Sequence, residues 1–198
     1  MKPSGLCLLK RQEYKVAVPY KKLSKFFKIL LNEKGFKREY FGNAKTIELH
    51  NVVFDIPSAK EMDIYFRKSY SRARVRTYHL KNYVSHYWGE YRFKAKDFVC
   101  KKRRILKTAK QLEAFLIEVA KKGLVFNNFS SYQRQSFNNK KEGIRITIDK
   151  NIIYLNNKFE PYTDKVFSDP KTAIIKFKFA KKLPDAFVFW KKFIEGLL

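Results

Sequence analysis

The sequence predicts an α+β fold in which an antiparallel sheet forms a barrel or tunnel with a basic lumen, and helices pack outside it. Apolar residues recur at helical spacing in three segments and mostly alternate with polar residues in nine others. The polar positions of those strands repeat one charge sign, which favours closure around an anion. No repeat or Gly/Ser linker interrupts the chain, so we expect a single domain over residues 1–198.

The three predicted helices cover residues 19–34, residues 108–122 and the last fifteen residues from Pro184. In the first helix, apolar residues follow the i, i+3, i+4, i+7, i+8 pattern between Pro19 and Gly35. Thr108 and Gly123 are suited to begin and end the second helix. Each helix is amphipathic, so each is expected to lie against an apolar surface.

The nine predicted strands are rich in β-branched and aromatic residues. They cover residues 11–18, 47–54, 72–79, 87–96, 98–106, 130–137, 144–149, 152–155 and 173–179. Turns are predicted at 149–151 and 156–158, where Asp and Asn residues cluster.

Charge narrows the class of partner. The 198 residues carry 44 Lys or Arg and 18 Asp or Glu, a formal net charge of +26, and 45% hydrophobic residues exclude global disorder. Residues 67–110 hold half of that excess, with 15 basic residues and 2 acidic ones. A polyanion is therefore the expected partner: a phosphate chain, nucleic acid or an anionic membrane surface.

Several other classes of site find no support in the sequence. Cys7 and Cys100 lie in no CxxC pattern, and the three histidines lack metal-site spacing. The sequence contains no P-loop motif and no credible Ser-His-Asp or Cys-His set. No apolar run reaches the ~20 residues needed to span a bilayer. We therefore expect free thiols and a cytoplasmic protein.

Strand alternation assigns the basic side chains to faces, because residues two apart point the same way. Arg72, Arg74 and Arg76 lie opposite Ala73, Val75 and Thr77. The same alternation groups the polar residues of the other strands, which are Arg11, Glu13 and Lys15, then Glu90 and Arg92, Lys101 and Arg103, Tyr132 and Arg134, Arg145, Thr147 and Asp149, and Lys176 and Lys178.

These elements occur in an order that resembles the VTC domain, the polyphosphate polymerase module of the triphosphate tunnel superfamily. The resemblance extends from about residue 10 to the C-terminus. It rests on Arg11-x-Glu13-x-Lys15, Phe54-Asp55, Arg72-x-Arg74-x-Arg76-x-Tyr78, Glu90-x-Arg92, Lys101-x-Arg103, Tyr132-x-Arg134-x-x-Phe137, Arg145-Ile-Thr-Ile-Asp149, Lys176-x-Lys178 and Leu183-Pro184.

The resemblance implies a tunnel that binds ATP and a growing polyphosphate chain and transfers the γ-phosphate with help from Mn²⁺ or Mg²⁺. Residues that would hold the reacting phosphates are Lys15, Arg74, Arg76, Arg134 and Arg145. Further phosphate ligands would be Arg92, Lys101, Arg103, Lys176 and Lys178. Phosphoryl transfer needs alignment and charge cancellation more than covalent help, which suits these residue types.

One departure from the family pattern bears on catalysis. Where the family has a metal-binding Glu-x-Lys, this chain has Lys176-Phe177-Lys178. A lysine repels Mg²⁺ instead of binding it. Glu13 and Glu90 are the remaining candidate metal ligands, although each could instead form ion pairs with neighbouring cations.

Two alternatives to the polymerase stay open at this stage. The first is a binding module that has lost turnover and recognises polyphosphate or an inositol polyphosphate. The second is a nucleic-acid-binding domain that would use Tyr78, Tyr83, Tyr87, Trp88, Tyr91 and Phe93 to stack bases. Packing of those aromatics under helices is the competing interpretation.

Overall fold

A computed structural model describes residues 12–32, 35–56, 69–80, 83–95, 98–156, 158, 171–179 and 185–196. These residues contain three helices and nine strands, so the predicted α+β class is confirmed. The helices are α1 (Tyr20–Asn32), α2 (Ala109–Lys121) and α3 (Asp185–Glu195). The strands are β1 (Gln12–Pro19), β2 (Lys37–Glu39), β3 (Ile47–Asp55), β4 (Ser69–Leu80), β5 (Tyr83–Ala95), β6 (Phe98–Leu106), β7 (Val125–Asn139), β8 (Ile144–Leu155) and β9 (Thr172–Phe179).

The helix ends follow the predicted capping residues. The Thr108 side chain accepts a hydrogen bond from the Gln111 amide at 3.2 Å, which satisfies one of the free donors at the start of α2. Gly123 follows the helix with φ of +68°, a left-handed conformation that glycine adopts without a side-chain clash.

One local prediction was wrong, and one short strand was not predicted. The turn predicted at 149–151 does not occur, because β8 runs through it with Asn151 alone in the left-handed region at φ +51°. Tyr20 holds that residue in place: its hydroxyl donates to the Asn151 side-chain oxygen at 2.9 Å and accepts from the Asn151 amide at 2.6 Å. β2 was missed, since three residues are too few to show an alternating pattern.

The strands form one nine-stranded sheet in the order β1-β9-β8-β7-β3-β4-β5-β6, and β2 pairs with β7. The pairs β1–β9, β2–β7, β4–β5, β5–β6 and β8–β9 are antiparallel, as predicted. Over the described strands, β1 and β6 end this order. The predicted closure into a barrel is therefore not seen in the strand pairing, because each of these two strands has a single strand neighbour.

The chain divides into two compact units. The first unit contains the described residues of 49–131 together with 154–156 and 158, and the second contains those of 12–48, 132–153 and 171–196. Each unit has its own apolar core and its own polar strand face, and the two are described separately below.

The core of the second unit lies between its strands and the helices α1 and α3. Phe26 of α1 and Trp190 of α3 are fully buried, with their ring centroids 5.2 Å apart. Ile146, Ile175 and Phe177 meet them from the strands and are equally buried. The polar side chains that alternate with these residues therefore lie on the other face of the strands.

The core of the first unit forms where α2 covers β4, β5 and β6. Phe115 of α2 is fully buried against Ala73 and Val75, the residues predicted to lie opposite the arginines of β4. Gly89 of β5 is needed there, because a Cβ at this position would lie 2.8 Å from the Phe115 ring. The predicted faces of β4 are thus confirmed.

In the described part of the chain, no helix combines the length and apolar character needed to cross a membrane. Several residues named in the sequence predictions lie outside the described residues: Cys7, Arg11, Leu183 and Pro184.

Candidate phosphate-binding site

The polar face of the first unit is organised around Glu90. Its side chain is 3% exposed, and the strand register places Arg74 of β4 and Arg103 of β6 directly opposite it. The Arg74 Nε donates to Glu90 Oε2 at 2.9 Å, and a second nitrogen of Arg74 also pairs with that oxygen. Lys101 Nζ lies 3.1 Å from Oε1, which Arg103 also contacts. We call Glu90, Arg74, Lys101 and Arg103 the Glu90 cluster.

This crowding shifts two pKa values in the cluster. Burial opposes ionisation of Glu90, but the charges of Arg74, Arg76, Lys101 and Arg103 outweigh it and lower its pKa to about 2. Burial lowers the pKa of Lys101 to about 8, and nearby Arg103 and Arg74 act in the same direction against the attraction of Glu90. Both groups are therefore charged at neutral pH, but the lowered pKa means that Lys101 loses its proton at a lower pH than an ordinary lysine does.

The arginines in and beside this cluster have further partners. Arg72 Nε lies 2.5 Å from the buried Asp55 carboxylate. Arg76, itself 7% exposed, donates from Nε to Asn51 Oδ1 at 2.7 Å. The guanidinium of Arg103 lies 5.1 Å from the centre of the Trp88 ring, a cation–π distance. Each guanidinium is thus oriented before any ligand arrives.

The polar face of the second unit centres on Asp149. Arg134 donates to both of its carboxylate oxygens, from Nε at 2.6 Å and from Nη2 at 2.8 Å, and Lys176 Nζ lies 2.7 Å from Oδ2. Tyr132 lies beside both cations, with its ring centre 5.0 Å from the Arg134 guanidinium and 5.7 Å from Lys176 Nζ. We call Asp149, Arg134, Lys176 and Tyr132 the Asp149 cluster.

Asp149 is 1% exposed, so burial by itself raises its pKa. The hydrogen bonds and charge of Arg134, with the charge of Lys176, outweigh that effect and lower the pKa below its usual value. This carboxylate is therefore charged, and its two cations are fixed by a group that cannot move into solvent.

Two further carboxylates hold cations on the same face. Glu13 of β1 lies 3.2 Å from Lys15 Nζ and 3.3 Å from Lys178 Nζ. Glu39 of β2 accepts from Arg145 at 2.7 and 3.0 Å. These pairs are more exposed than the Asp149 cluster, since the side chains of Lys15 and Arg145 are 61% and 46% exposed. They can exchange partners at little cost.

All ten predicted phosphate ligands lie on the polar faces. The first unit brings together Arg74, Arg76, Arg92, Lys101 and Arg103, and the second unit brings together Lys15, Arg134, Arg145, Lys176 and Lys178. Sequence reasoning missed the buried partners Asn51, Asp55 and Asp149 and the partly exposed Glu39 as parts of the site. Alternation placed Asp149 on the polar face, but only the fold shows which cations it holds.

The residues described in the structure do not fit a divalent metal. Glu13 and Glu90, the candidate metal ligands, direct their oxygens at lysines and arginines. Over the described ranges, no group of three or more His, Cys, Asp or Glu side chains could hold a metal ion. Mg²⁺ and Mn²⁺ favour several oxygen ligands, so we derive no step through a metal.

The aromatic residues considered as base-stacking groups have different environments. Tyr91 packs on Phe115 in the core of the first unit, with ring centroids 4.9 Å apart. Trp88 lies beside Arg103, whereas Tyr87 is 41% exposed. The side chains of Tyr83 and Phe93 lie outside what the structure describes. Core packing therefore accounts for Tyr91 but not for every member of the set.

Comparisons with known proteins show the fold of this chain. No protein-family model matches it, and a comparison with curated proteins finds no match. Among solved structures, the PH1819 protein of Pyrococcus horikoshii OT3 matches with a TM-score of 0.53 and 11% identity, covering 94% of this chain and 90% of that one. The PH1012 protein of the same organism matches with a TM-score of 0.51 and 11% identity, over 91% and 87%.

A third structure, from Hippeastrum, is described as a candidate adenylyl cyclase with a dominant triphosphatase activity. It covers 93% of this chain and 86% of its own at 15% identity, with a TM-score of 0.49. At these identities, the likeness to the two Pyrococcus proteins concerns the fold alone.

Proposed function

We propose that this chain binds linear phosphate chains, either inorganic polyphosphate or the triphosphate of ATP, through the polar faces of its two units. The observation that carries the proposal is the excess of oriented cations on each face. Among the described side chains, the first face has six cations (Arg72, Arg74, Arg76, Arg92, Lys101, Arg103) and two carboxylates (Asp55, Glu90). Within the part of the chain that the structure describes, the second has five cations (Lys15, Arg134, Arg145, Lys176, Lys178) and three carboxylates (Glu13, Glu39, Asp149).

The geometry supports phosphate binding by two physical routes. Arginine forks bind phosphate oxygens bidentately, and lysine supplies a compact charge. Where a cation is held by an exposed carboxylate, as Arg145 is by Glu39, a phosphate oxygen can replace that carboxylate. Where the carboxylate is buried, as Asp149 is, it stays and fixes the direction of its cations. Phosphate would therefore meet a prepared set of donors.

The finer proposal is γ-phosphate transfer from ATP to a polyphosphate end, as the VTC resemblance implies. In that step a terminal oxygen of polyphosphate forms a bond to the γ-phosphorus, the bond from that phosphorus to the β–γ bridging oxygen breaks, and ADP leaves with that oxygen. An ionised acceptor needs no general base. The side chains above would align both ends and neutralise the charge.

The second candidate function is binding without turnover, and Lys176 favours it. Its ammonium is bound to Asp149 at 2.7 Å, at the position where the family resemblance implies a metal-binding carboxylate. Neutralisation of phosphate charge remains possible there, whereas the bridging of β- and γ-oxygens by a metal would need other ligands.

The test begins with titration of the whole chain with tripolyphosphate by calorimetry. Arg74→Ala and Arg134→Ala are each expected to weaken binding at least tenfold, because each removes a bidentate donor. Lys102→Ala is the matched control, since Lys102 lies on β6 between Lys101 and Arg103 but faces the other way. Its effect should stay below threefold.

Turnover is then assayed with ATP and a short polyphosphate primer, in Mn²⁺, in Mg²⁺ and in EDTA. If the polyphosphate primer grows longer on a gel, and if this growth is lost in Arg134→Ala, the protein is a polymerase. Tight binding with no ADP release would assign the chain to the binding module. Absence of tripolyphosphate binding by the unaltered chain would overturn the proposed function altogether.

A further inference from the structure

Two buried hydroxyls lie on the polar face of the second unit. Ser136 of β7 is 0% exposed and Thr147 of β8 is 1% exposed. Among the described residues, neither hydroxyl oxygen has a hydrogen-bond partner. A buried hydroxyl without a partner is unfavourable, so two of them on one polar face call for an explanation.

Cations lie beside both hydroxyls. Thr147 is the register partner of Lys176, and Arg145, two residues before it on the same face, is the partner of Lys178. Ser136 lies two residues after Arg134, again on the same face. The hydroxyls thus have basic neighbours along their own strands and, for Thr147, across to β9.

A carboxylate marks each side of this region. Ser136 is the register partner of Glu39, which holds Arg145, and Thr147 lies two residues before Asp149, which holds Arg134 and Lys176. Oxygen anions of the protein already bind these same cations on both sides of the hydroxyls. The hydroxyls themselves are the donors that no protein oxygen has engaged.

We propose that Ser136 and Thr147 donate hydrogen bonds to one phosphate group of the bound polyphosphate or triphosphate. The cations around this phosphate group would be Arg134, Arg145, Lys176 and Lys178. This inference rests on the proposed function and deepens it by naming a subsite. A phosphate group presents several acceptor oxygens, more than one arginine fork can satisfy. Hydroxyl donors complete the set without adding positive charge where four cations already repel one another.

Entry of the phosphate follows from the exposure of the surrounding pairs. Arg145 exchanges Glu39 for a phosphate oxygen, and Lys178 does the same with Glu13, because both pairs are partly open to solvent. Both cations then pair with the phosphate group that the hydroxyls contact. Arg134 and Lys176 keep their contact with buried Asp149 and serve as the fixed wall of the subsite.

The experiment uses Thr147→Val, Ser136→Ala and the double variant of the full chain, titrated with tripolyphosphate and separately with ATP. The double variant is expected to bind tripolyphosphate at least tenfold more weakly. Its thermal unfolding midpoint should be unchanged or higher, because removal of an unpartnered buried hydroxyl relieves an unfavourable burial. Thr147→Ser keeps a hydroxyl and is expected to retain binding.

Thr77→Val is the control for loss of a buried hydroxyl. Thr77 is buried in the first unit, on the side of β4 that also carries Ala73 and Val75. Its hydroxyl lies 2.7 Å from His79 Nε2. Loss of that contact should lower the unfolding midpoint and leave tripolyphosphate affinity unchanged. Loss of the subsite hydroxyls should have the opposite effect, namely a lower affinity for tripolyphosphate with no decrease in the unfolding midpoint.

The outcomes separate this inference from the proposed function. Wild-type affinity in the double variant, together with loss of binding in Arg134→Ala, would overturn the subsite and leave the proposed function standing. A lower unfolding midpoint in Thr147→Val would also overturn it, since that hydroxyl would then have a structural partner. If the double variant binds both tripolyphosphate and ATP more weakly, the subsite recognises the triphosphate group that the two ligands share. If it binds only tripolyphosphate more weakly, the subsite recognises inorganic phosphate chains.

Discussion

At the scale of single residues, Glu90 shows how this protein keeps like charges together. One carboxylate, 3% exposed, holds two arginines and a lysine that lie on the two strands beside its own. Without it, these three cations would face one another in a partly dehydrated site, where repulsion is stronger than in water. Glu90 therefore supplies the negative charge that keeps these three cations together.

Replacement of that carboxylate should make folding depend on an added anion. We expect Glu90→Gln to lower the free energy of unfolding by about 2–3 kcal/mol, less than for a fully buried pair because its partners are partly exposed. Tripolyphosphate should restore more stability in this variant than in the unaltered chain. Urea unfolding with and without 1 mM tripolyphosphate, about the scale needed to saturate a micromolar site, measures both effects.

Glu118→Gln is the matched control, because Glu118 pairs with Arg104 at 2.9 Å while 46% exposed. Its loss should cost at most about 0.5 kcal/mol, with or without tripolyphosphate. Equal losses in the two variants would contradict the role assigned to Glu90.

Lys101 should make ligand affinity depend on pH. Its pKa of about 8 means that the ammonium is lost as the pH rises from 7 to 9. Tripolyphosphate affinity should therefore fall above pH 8, by up to about tenfold per pH unit, since binding needs the protonated form. Lys101→Arg stays charged, so its affinity measured across the same range should be flatter. Parallel curves for the two proteins would refute this assignment.

Acid should destabilise the fold through Glu90 and Asp149. Both carboxylates have folded pKa values below their usual ones, with Glu90 at about 2. As the pH falls below about 4.5, the unfolded chain takes up protons first, so the free energy of unfolding decreases down to about pH 2. Glu90 alone should account for up to about 3 kcal/mol of this loss. Urea titrations at pH 6, 4 and 3 should show a shallower decline in Glu90→Gln.

At the scale of helices and strands, the alternation of polar and apolar residues predicted which face of a strand each side chain lies on. It did not predict which side chains contact each other across neighbouring strands. The assignment of Arg74 and Val75 to opposite faces follows from local spacing, and the structure agrees. The contact of Arg134 with Asp149 could not be predicted in the same way, because register joins residues that are 15 apart in sequence. Asn151 escaped prediction for a related reason: Tyr20, 131 residues away, holds its unusual backbone.

The contact between α2 and β5 leads to a test of packing. Gly89→Ala should lower the free energy of unfolding by about 1–3 kcal/mol, because the new methyl would lie 2.8 Å from the Phe115 ring. A smaller side chain at the contact should remove the clash, so Gly89→Ala combined with Phe115→Leu should cost less than the sum of the two single changes. A double-mutant cycle by chemical unfolding measures this coupling. Additive losses would show that the ring moves aside.

At the scale of the whole molecule, a charge of +26 attracts any polyanion, whereas oriented donors select among them. We expect a labelled single-stranded oligonucleotide to bind with an affinity that falls steeply with salt, because counterion release drives that binding. Tripolyphosphate should displace it and lose less affinity over the same salt range. Anisotropy at 50 and 200 mM salt tests both points. An oligonucleotide that tripolyphosphate cannot displace would favour the nucleic-acid alternative.

The strand β6 stands at one end of the described strand order, and four consecutive residues of it, 101–104, are Lys-Lys-Arg-Arg. An edge strand invites another chain to add to the sheet, and positive side chains oppose such an addition. In the part of the sheet that the structure describes, this end therefore carries charges that oppose the addition of a second copy. A long polyphosphate that neutralises these charges would remove that protection and tether several copies at once. The length and amount of polyanion would then control self-association as well as occupancy.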